Sequence, residues 1–142
     1  MQLSKFCDYG LRALMYLGAR TGKITSAEEM ARAFDISHNH IVKSLQALCR
    51  EGLIRSVPGR GGGYLFEQST ERIRIGDVVQ KIEPNFHMAE CFSLPKNTCP
   101  LTPECGLQAA LIDARDTFLE TLNQYTLKDL IAPQIDKLLA IG

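Results

Sequence analysis

The sequence predicts a mainly α-helical fold with a small β hairpin, and three observations support this fold class. Apolar residues recur at three- and four-residue steps over most of the first 50 positions, which is the period of amphipathic helices. Two strand-like runs, 53–57 and 64–66, flank a segment that contains four glycines, which is typical of a hairpin. A further helical pattern covers roughly 107–124.

Length, composition and charge exclude several classes of protein. The chain has 142 residues, which is enough for one domain with an appendage and too few for a multidomain enzyme. No apolar stretch approaches the roughly 20 residues that cross a bilayer, and the N-terminus has no secretory signal, so we expect a cytoplasmic protein without membrane association. Residues 1–75 hold eleven Lys and Arg against seven Asp and Glu, whereas 76–142 hold five against nine. The first half is therefore the candidate to bind a polyanion.

The first three helices form a helix-turn-helix pattern followed by a hairpin. The spacing predicts a helix over roughly 5–20, a second that starts with the Ser26-x-x-Glu29 capping box, and a third capped by Ser37. A hairpin directly after a helix-turn-helix is the layout of a winged helix, in which the third helix enters the major groove of DNA. We expect 73–75 to add an edge strand and 76–83 to form a short helix that Pro84 ends.

The second half divides into a loop and a helical tail. The segment 85–106 has three prolines, three cysteines and little periodicity, and loops of this length are uncommon without a function. The apolar stripe on 107–124 resembles a coiled-coil seam, which favours a homodimer over packing on its own domain. We expect a short helix from Thr126 and an apolar tail that folds back. The predicted domains are 1–83 for DNA binding, 84–106 for the cysteine loop, and 107–142 for dimerisation and the tail.

Two groups of residues are the candidates for contact with DNA. The polar side chains in the first two turns of the third helix are Ser37, His38, Asn39, His40 and Lys43. A solvated helix start is the alternative interpretation of these residues. In the hairpin tip, glycines such as Gly61 let the backbone approach a duplex, and Arg60 suits a narrow minor groove. A nucleotide-binding loop is disfavoured, because the tip has neither a G-x-G-x-x-G motif nor a Walker lysine.

The cysteines indicate metal binding. Five cysteines in a chain without an export signal argue against a disulfide framework. The spacing Cys91-x7-Cys99-x5-Cys105 lacks the paired C-x-x-C of structural zinc sites, but three thiolates can hold an iron-sulfur cluster if a fourth donor comes from elsewhere. Unrelated structural cysteines, a zinc-stabilised module and a redox enzyme are the alternatives. We expect Cys7 and Cys49 to pack in the core, and Glu90 and His87 to form hydrogen bonds around the cluster.

Taken together, these features resemble the iron-sulfur winged-helix repressors. The segments that carry the resemblance are 6–14, 59–65, 74–79, the three loop cysteines and 125–130. The resemblance implies a non-enzymatic homodimer that binds an inverted-repeat operator. It also implies that Cys91, Cys99 and Cys105 ligate an iron-sulfur cluster, either 2Fe-2S or 4Fe-4S, with the four-iron form slightly favoured.

The fourth ligand distinguishes the branches of this family. In the cluster-biogenesis branch a histidine follows the last cysteine by three residues, and here Gln108 occupies that position. The NsrR branch, whose members sense nitric oxide, uses an aspartate of the first helix that reaches the cluster of the other subunit, and Asp8 matches it. The segments 88–92 and 99–101 also resemble the iron-responsive branch. The resemblance therefore implies an NsrR-like repressor that is released by cluster nitrosylation, with an iron- or cluster-responsive regulator as the alternative.

Overall fold

Helices form most of the protein, as the sequence predicts. The computed structural model describes residues 1–131 and 133–141. The helices and strands of these residues are, in order, α1 (Lys5–Gly18), α2 (Ala27–Phe34), α3 (His38–Arg50), β1 (Arg55–Val57), β2 (Gly63–Leu65), α4 (Ile75–Ile82), α5 (Gly106–Leu122), α6 (Leu127–Leu130) and α7 (Pro133–Ile141). Two single-turn helices, Glu90–Phe92 and Leu94–Lys96, lie in the cysteine loop.

Serine side chains start the first three helices. The Oγ atoms of Ser4, Ser26 and Ser37 each accept the backbone N–H of the third residue of their helix, at 3.1–3.3 Å. The capping box predicted for α2 forms only in its serine half. The Glu29 carboxylate instead accepts hydrogen bonds from the Tyr16 hydroxyl and the Arg20 guanidinium, because those donors from α1 lie within its reach. Glu29 thereby joins α1 to α2.

The core lies between α1, α2, α3 and α4. It is formed by side chains without measurable exposure, among them Leu14, Leu17, Met30, Leu45 and Phe66. Helix α1 crosses α3 closely, and the Ser44 hydroxyl donates a hydrogen bond to the Phe6 carbonyl at 3.0 Å. This contact fixes α3, the helix that the sequence predicts to enter the major groove, against the helix that carries Asp8.

The wing is an antiparallel hairpin with a one-residue third strand. Arg55 pairs with Leu65, and Val57 pairs with Gly63. Thr25 extends the sheet by exchanging two backbone hydrogen bonds with Tyr64, at 2.8 and 2.9 Å. The expected edge strand at 73–75 does not join this sheet: Arg74 pairs with Thr126, and α4 already begins at Ile75.

The C-terminal helices are anchored at few points. Helix α5 contains no fully buried residue. It packs on α4 where Gly76 lies beneath the Leu119 carbonyl, so closely that a β carbon would clash. The tail folds back as predicted: Leu127 is fully buried beside Gly18, and Ile135 is 4% exposed. In the part of the chain that the structure describes, no helix is long and apolar enough to span a membrane.

Candidate cysteine centre and nucleic-acid interface

The three loop cysteines line one cavity of about 160 Å³. The wall is mostly apolar and includes Leu101 and Leu111. A larger cavity of about 220 Å³, next to the N-terminus and Phe118, contains no thiol. All five cysteines are free thiols, and the three in the loop are partly exposed. The cavity therefore collects three candidate ligands from positions that span 15 residues of sequence.

Two of these cysteines are tied to the first turn of α5. Cys105 is the residue before the helix, and its carbonyl accepts the Ala109 N–H at 3.2 Å. The Gln108 side-chain amide donates to the Cys91 carbonyl at 3.3 Å. The Arg115 guanidinium lies 5.6 Å from the centre of the Phe92 ring, which holds the same part of the loop on α5. Gln108 occupies the position of the histidine ligand in the cluster-biogenesis branch, and here its side chain is a hydrogen-bond donor.

Cys99 is held by a separate polar turn. Its N–H donates to Asn97 Oδ1 at 3.0 Å, and the Asn97 side-chain amide donates to the Thr102 hydroxyl at 3.0 Å. One oxygen of Glu90 accepts both the Thr98 N–H, at 2.6 Å, and the Thr98 hydroxyl, at 2.7 Å. These hydrogen bonds lower the pKa of Glu90, so the carboxylate is ionised at neutral pH.

The donor set and the lining of the cavity suit an iron-sulfur cluster. Cysteine thiolates are the usual ligands of such clusters, and an apolar wall shields them from water. Among the described residues, no three His, Cys, Asp or Glu side chains are close enough together to hold a metal ion. The cysteines therefore share a cavity without forming a closed ligand cage.

Asp8 is outside this cavity and is paired within its own helix. Its two carboxylate oxygens accept hydrogen bonds from Nε and Nη2 of Arg12, at 3.0 and 2.7 Å. Both side chains remain more than 40% exposed. The Arg12 guanidinium is also 5.9 Å from the Tyr9 ring centre, and Tyr9 lies 6.2 Å from the His40 ring. A continuous set of contacts thus runs from Asp8 to the recognition helix.

The residues predicted to face DNA are exposed on α3 and on the wing. His38, Asn39, His40 and Lys43 project from the first two turns of α3, and the Ser37 hydroxyl caps that helix. At the wing tip Gly59 and Gly61 have φ angles of 94° and 74°, which glycine adopts without strain. Arg60 between them is exposed and forms no ion pair with any described residue. The tip is therefore a narrow, glycine-rich surface with one cation.

The fold and the motifs agree with the match to a protein family. The Rrf2 family, described as an iron-dependent transcriptional regulator, matches residues 3–133. The chain belongs to the Rrf2 family. It is therefore a DNA-binding transcriptional regulator with a winged-helix fold, and not an enzyme.

Three proteins illustrate the similarity of this Rrf2 chain to known members. It is 39% identical over 137 residues to the HTH-type transcriptional regulator NsrR of Bacillus subtilis (strain 168). This alignment covers 96% of this chain and 94% of that protein. It is 42% identical over 143 residues to Protein aau3 of Rhizobium meliloti (strain 1021), which covers 99% and 93%. The structure of CymR, the global cysteine regulator of B. subtilis, has a TM-score of 0.71 at 26% identity, with coverage of 92% and 96%.

Glu83 is a residue of this Rrf2 protein that the sequence analysis missed. One of its oxygens accepts both the N–H and the hydroxyl of Ser4, at 2.9 and 3.1 Å, and the other accepts the Asn85 N–H at 3.3 Å. Burial, and then the nearby charge of Glu83, raise the pKa of Cys7 to about 12. Cys7 is fully buried, which confirms its predicted packing role. A single glutamate at the end of a helix gives no local signal for its link to Ser4, which lies 79 residues away in sequence.

Proposed function

We propose that this Rrf2 protein is a homodimeric repressor that binds an inverted-repeat operator and senses nitric oxide through an iron-sulfur cluster. Cys91, Cys99 and Cys105 would hold the cluster, and Asp8 of the second protomer would complete the ligand set. The cluster supplies a reactive centre for nitric oxide. The observation that carries the proposal is that all three loop thiols line one apolar cavity at the start of α5.

The exposed surface of α5 supports a homodimer. None of its residues is fully buried within the protomer, and Leu107 is 67% exposed while Tyr125, just beyond the helix, is 49% exposed. A second copy of the same helix would cover this apolar stripe. Two-fold symmetry would place two copies of α3 in successive major grooves, about 34–36 Å apart, and thereby match an inverted repeat.

The Asp8 carboxylate supports a link between the cluster and DNA. An oxygen ligand is a weaker match to iron-sulfur chemistry than a thiolate, so this position would exchange most readily. Within the protomer the Asp8 carboxylate is paired with Arg12, which contacts Tyr9 and through it His40. A bond from Asp8 to a cluster would compete with this ion pair, and the change of partner would bias the helix that supports α3.

The wing supports the DNA-binding half of the proposal. Arg60 forms no ion pair with a described residue, and it lies at a tip whose glycines allow close approach to a duplex. Asn39 and Lys43 are exposed on α3. In this proposal Asn39 would read a base edge, and Lys43 would neutralise a phosphate.

A second candidate is regulation by iron or cluster supply. The description of the Rrf2 family as iron-dependent favours it. In that case cluster occupancy would be the signal, and the same cysteines would serve it.

Titration of operator binding separates these two functions. The protein is isolated without oxygen with its cluster in place, and its affinity for operator DNA is followed by fluorescence anisotropy. If the protein senses nitric oxide, a near-stoichiometric amount of nitric oxide abolishes operator binding. In a parallel sample treated with an iron chelator, the affinity for operator DNA falls only as the chelator removes the cluster. Unchanged affinity after nitric oxide addition contradicts the proposal and leaves the iron-responsive function.

A further inference from the structure

The cysteine loop is held at two separate places. Cys91 and Cys105 are attached to α5, through Gln108 and through the helix start. The hydrogen bonds around Cys99 stay within the turn that runs from 97 to 102. Among the described residues, the hydrogen bonds that connect this turn to another part of the chain are the two between Thr98 and Glu90.

We propose that the Glu90 carboxylate is a positioning residue that holds Cys99 beside Cys91 and so preorganises the ligand set. Glu90 directly precedes Cys91, and Thr98 directly precedes Cys99. The clasp, by which we mean the two Glu90–Thr98 hydrogen bonds, therefore joins the residues next to two of the three ligands. This inference extends the proposed cluster-binding function to a residue that does not itself touch the metal.

The chemistry of the clasp suits this role. Hydrogen bonds to an ionised carboxylate are stronger than those between neutral groups, and two donors from one residue fix its orientation as well as its distance. Because Glu90 is exposed, water competes for the carboxylate, and the clasp contributes little to the stability of the whole fold. Its effect is local: it shortens the free loop between two ligands, which lowers the conformational entropy lost when a cluster binds.

A bifunctional thiol reagent measures the proximity of the two cysteines without any metal. Dibromobimane becomes fluorescent when it bridges two nearby thiols. Trypsin cuts at Lys96, between Cys91 and Cys99, but leaves Cys99 and Cys105 in one peptide, so tandem mass spectrometry of the bridged peptides is used to assign the second thiol as Cys99 or Cys105. The full-length reduced chain is used, and the rate is divided by that of monobromobimane, which reports thiol reactivity alone. In Glu90→Ala we expect the normalised Cys91–Cys99 bridging rate to fall about fivefold, as expected when a charge-assisted hydrogen bond at an exposed site is lost.

Conservative variants distinguish positioning from a general loss of structure. Thr98→Ser keeps both donors and should bridge like the wild type, whereas Thr98→Val keeps only the N–H and should be intermediate. Glu104→Gln is the matched control, because Glu104 lies in the same loop, is exposed and forms no side-chain hydrogen bond with a described residue. All variants should show the thermal unfolding curve of the wild type, since Glu90 is outside the core.

Two outcomes separate this inference from the proposed function. If Glu90→Ala bridges as fast as the wild type, the clasp is wrong even when the protein binds a cluster. If Glu90→Ala bridges slowly but the wild type takes up no iron and sulfide, the clasp stands and the cluster proposal fails. If the clasp and the cluster proposal are both correct, a chelator should remove the cluster faster from Glu90→Ala than from Glu104→Gln, as measured by the loss of visible absorption.

Discussion

Replacing Gly76 with alanine tests how closely α5 is docked on the winged helix. Gly76 is the second residue of α4, and an added β carbon would overlap the Leu119 carbonyl and lie 2.5 Å from Asn123 Oδ1. The backbone of α5 cannot yield without moving the helix. Asn123 is also bonded to Asp77, through the Asp77 N–H at 2.9 Å and the Asp77 carboxylate at 2.8 Å. The substitution therefore disturbs the contact that fixes the proposed dimerisation helix.

The size of the effect follows from the cost of overpacking. We expect Gly76→Ala to lower the free energy of unfolding by about 2 kcal/mol, within the range for added atoms at a closely packed site. For a protein of this length that corresponds to a decrease in Tm of about 7 °C. Gly106→Ala is the matched control: Gly106 is the first residue of α5, and no atom lies within 4 Å of an added β carbon. Its higher helix propensity should stabilise the protein by about 0.5 kcal/mol.

Thermal unfolding at one fixed protomer concentration measures both variants, because the stability of a dimer depends on concentration. Sedimentation equilibrium then reports the dimer. Gly76→Ala should weaken dimerisation while Gly106→Ala leaves it unchanged. A Tm of Gly76→Ala within about 1 °C of the wild type, with Gly106→Ala stabilised as expected, would refute the close docking of α5 on α4.

Three further predictions concern DNA, the buried thiol and the fourth ligand. Arg60→Ala should reduce the slope of log affinity for operator against log salt by about 0.9, the value for one phosphate contact; an unchanged slope removes Arg60 from the interface. Cys7 has a pKa of about 12 when folded and an ordinary thiol value of 9.0 when unfolded. The free energy of unfolding therefore decreases as the pH rises from 9 toward 12, by about 1.4 kcal/mol per pH unit. Urea unfolding of the Cys7→Ala variant should lack this contribution of Cys7 to the decrease. Asp8→Ala should shorten the lifetime of the cluster in the presence of a chelator. The control Glu28→Ala, which removes a similar i,i+4 ion pair with Arg32, should leave that lifetime unchanged. Equal lifetimes in the two variants would exclude Asp8 as a ligand.

The local parts of the fold could be predicted from the sequence. The amphipathic spacing of α1 and α3, the serine caps and the hairpin glycines act over a few residues, so their signal lies within one segment. The third strand of the wing could not be predicted, because it consists of Thr25 alone and pairs with Tyr64, 39 residues later in the chain. The same applies to Arg74, whose partner Thr126 is determined by the tertiary fold.

The residues of the candidate site could be predicted from the sequence, but their hydrogen-bond and ion-pair partners could not. The spacing of Cys91, Cys99 and Cys105 indicated a common centre, and the structure places them around one cavity. The family resemblance points to Asp8, but the pairing of Asp8 with Arg12 depends on side-chain rotamers that the sequence does not determine. The sequence predicts that Glu90 forms hydrogen bonds near the cluster, but its partner Thr98 is determined by the course of the loop.

The amounts of iron and acid-labile sulfide in protein isolated without oxygen decide whether this Rrf2 chain holds an iron-sulfur cluster. We expect roughly equal amounts of the two, with broad visible absorption, and we expect both to be lost when Cys91, Cys99 or Cys105 is replaced by serine. A colourless protein after anaerobic reconstitution, or zinc without sulfide, would contradict it.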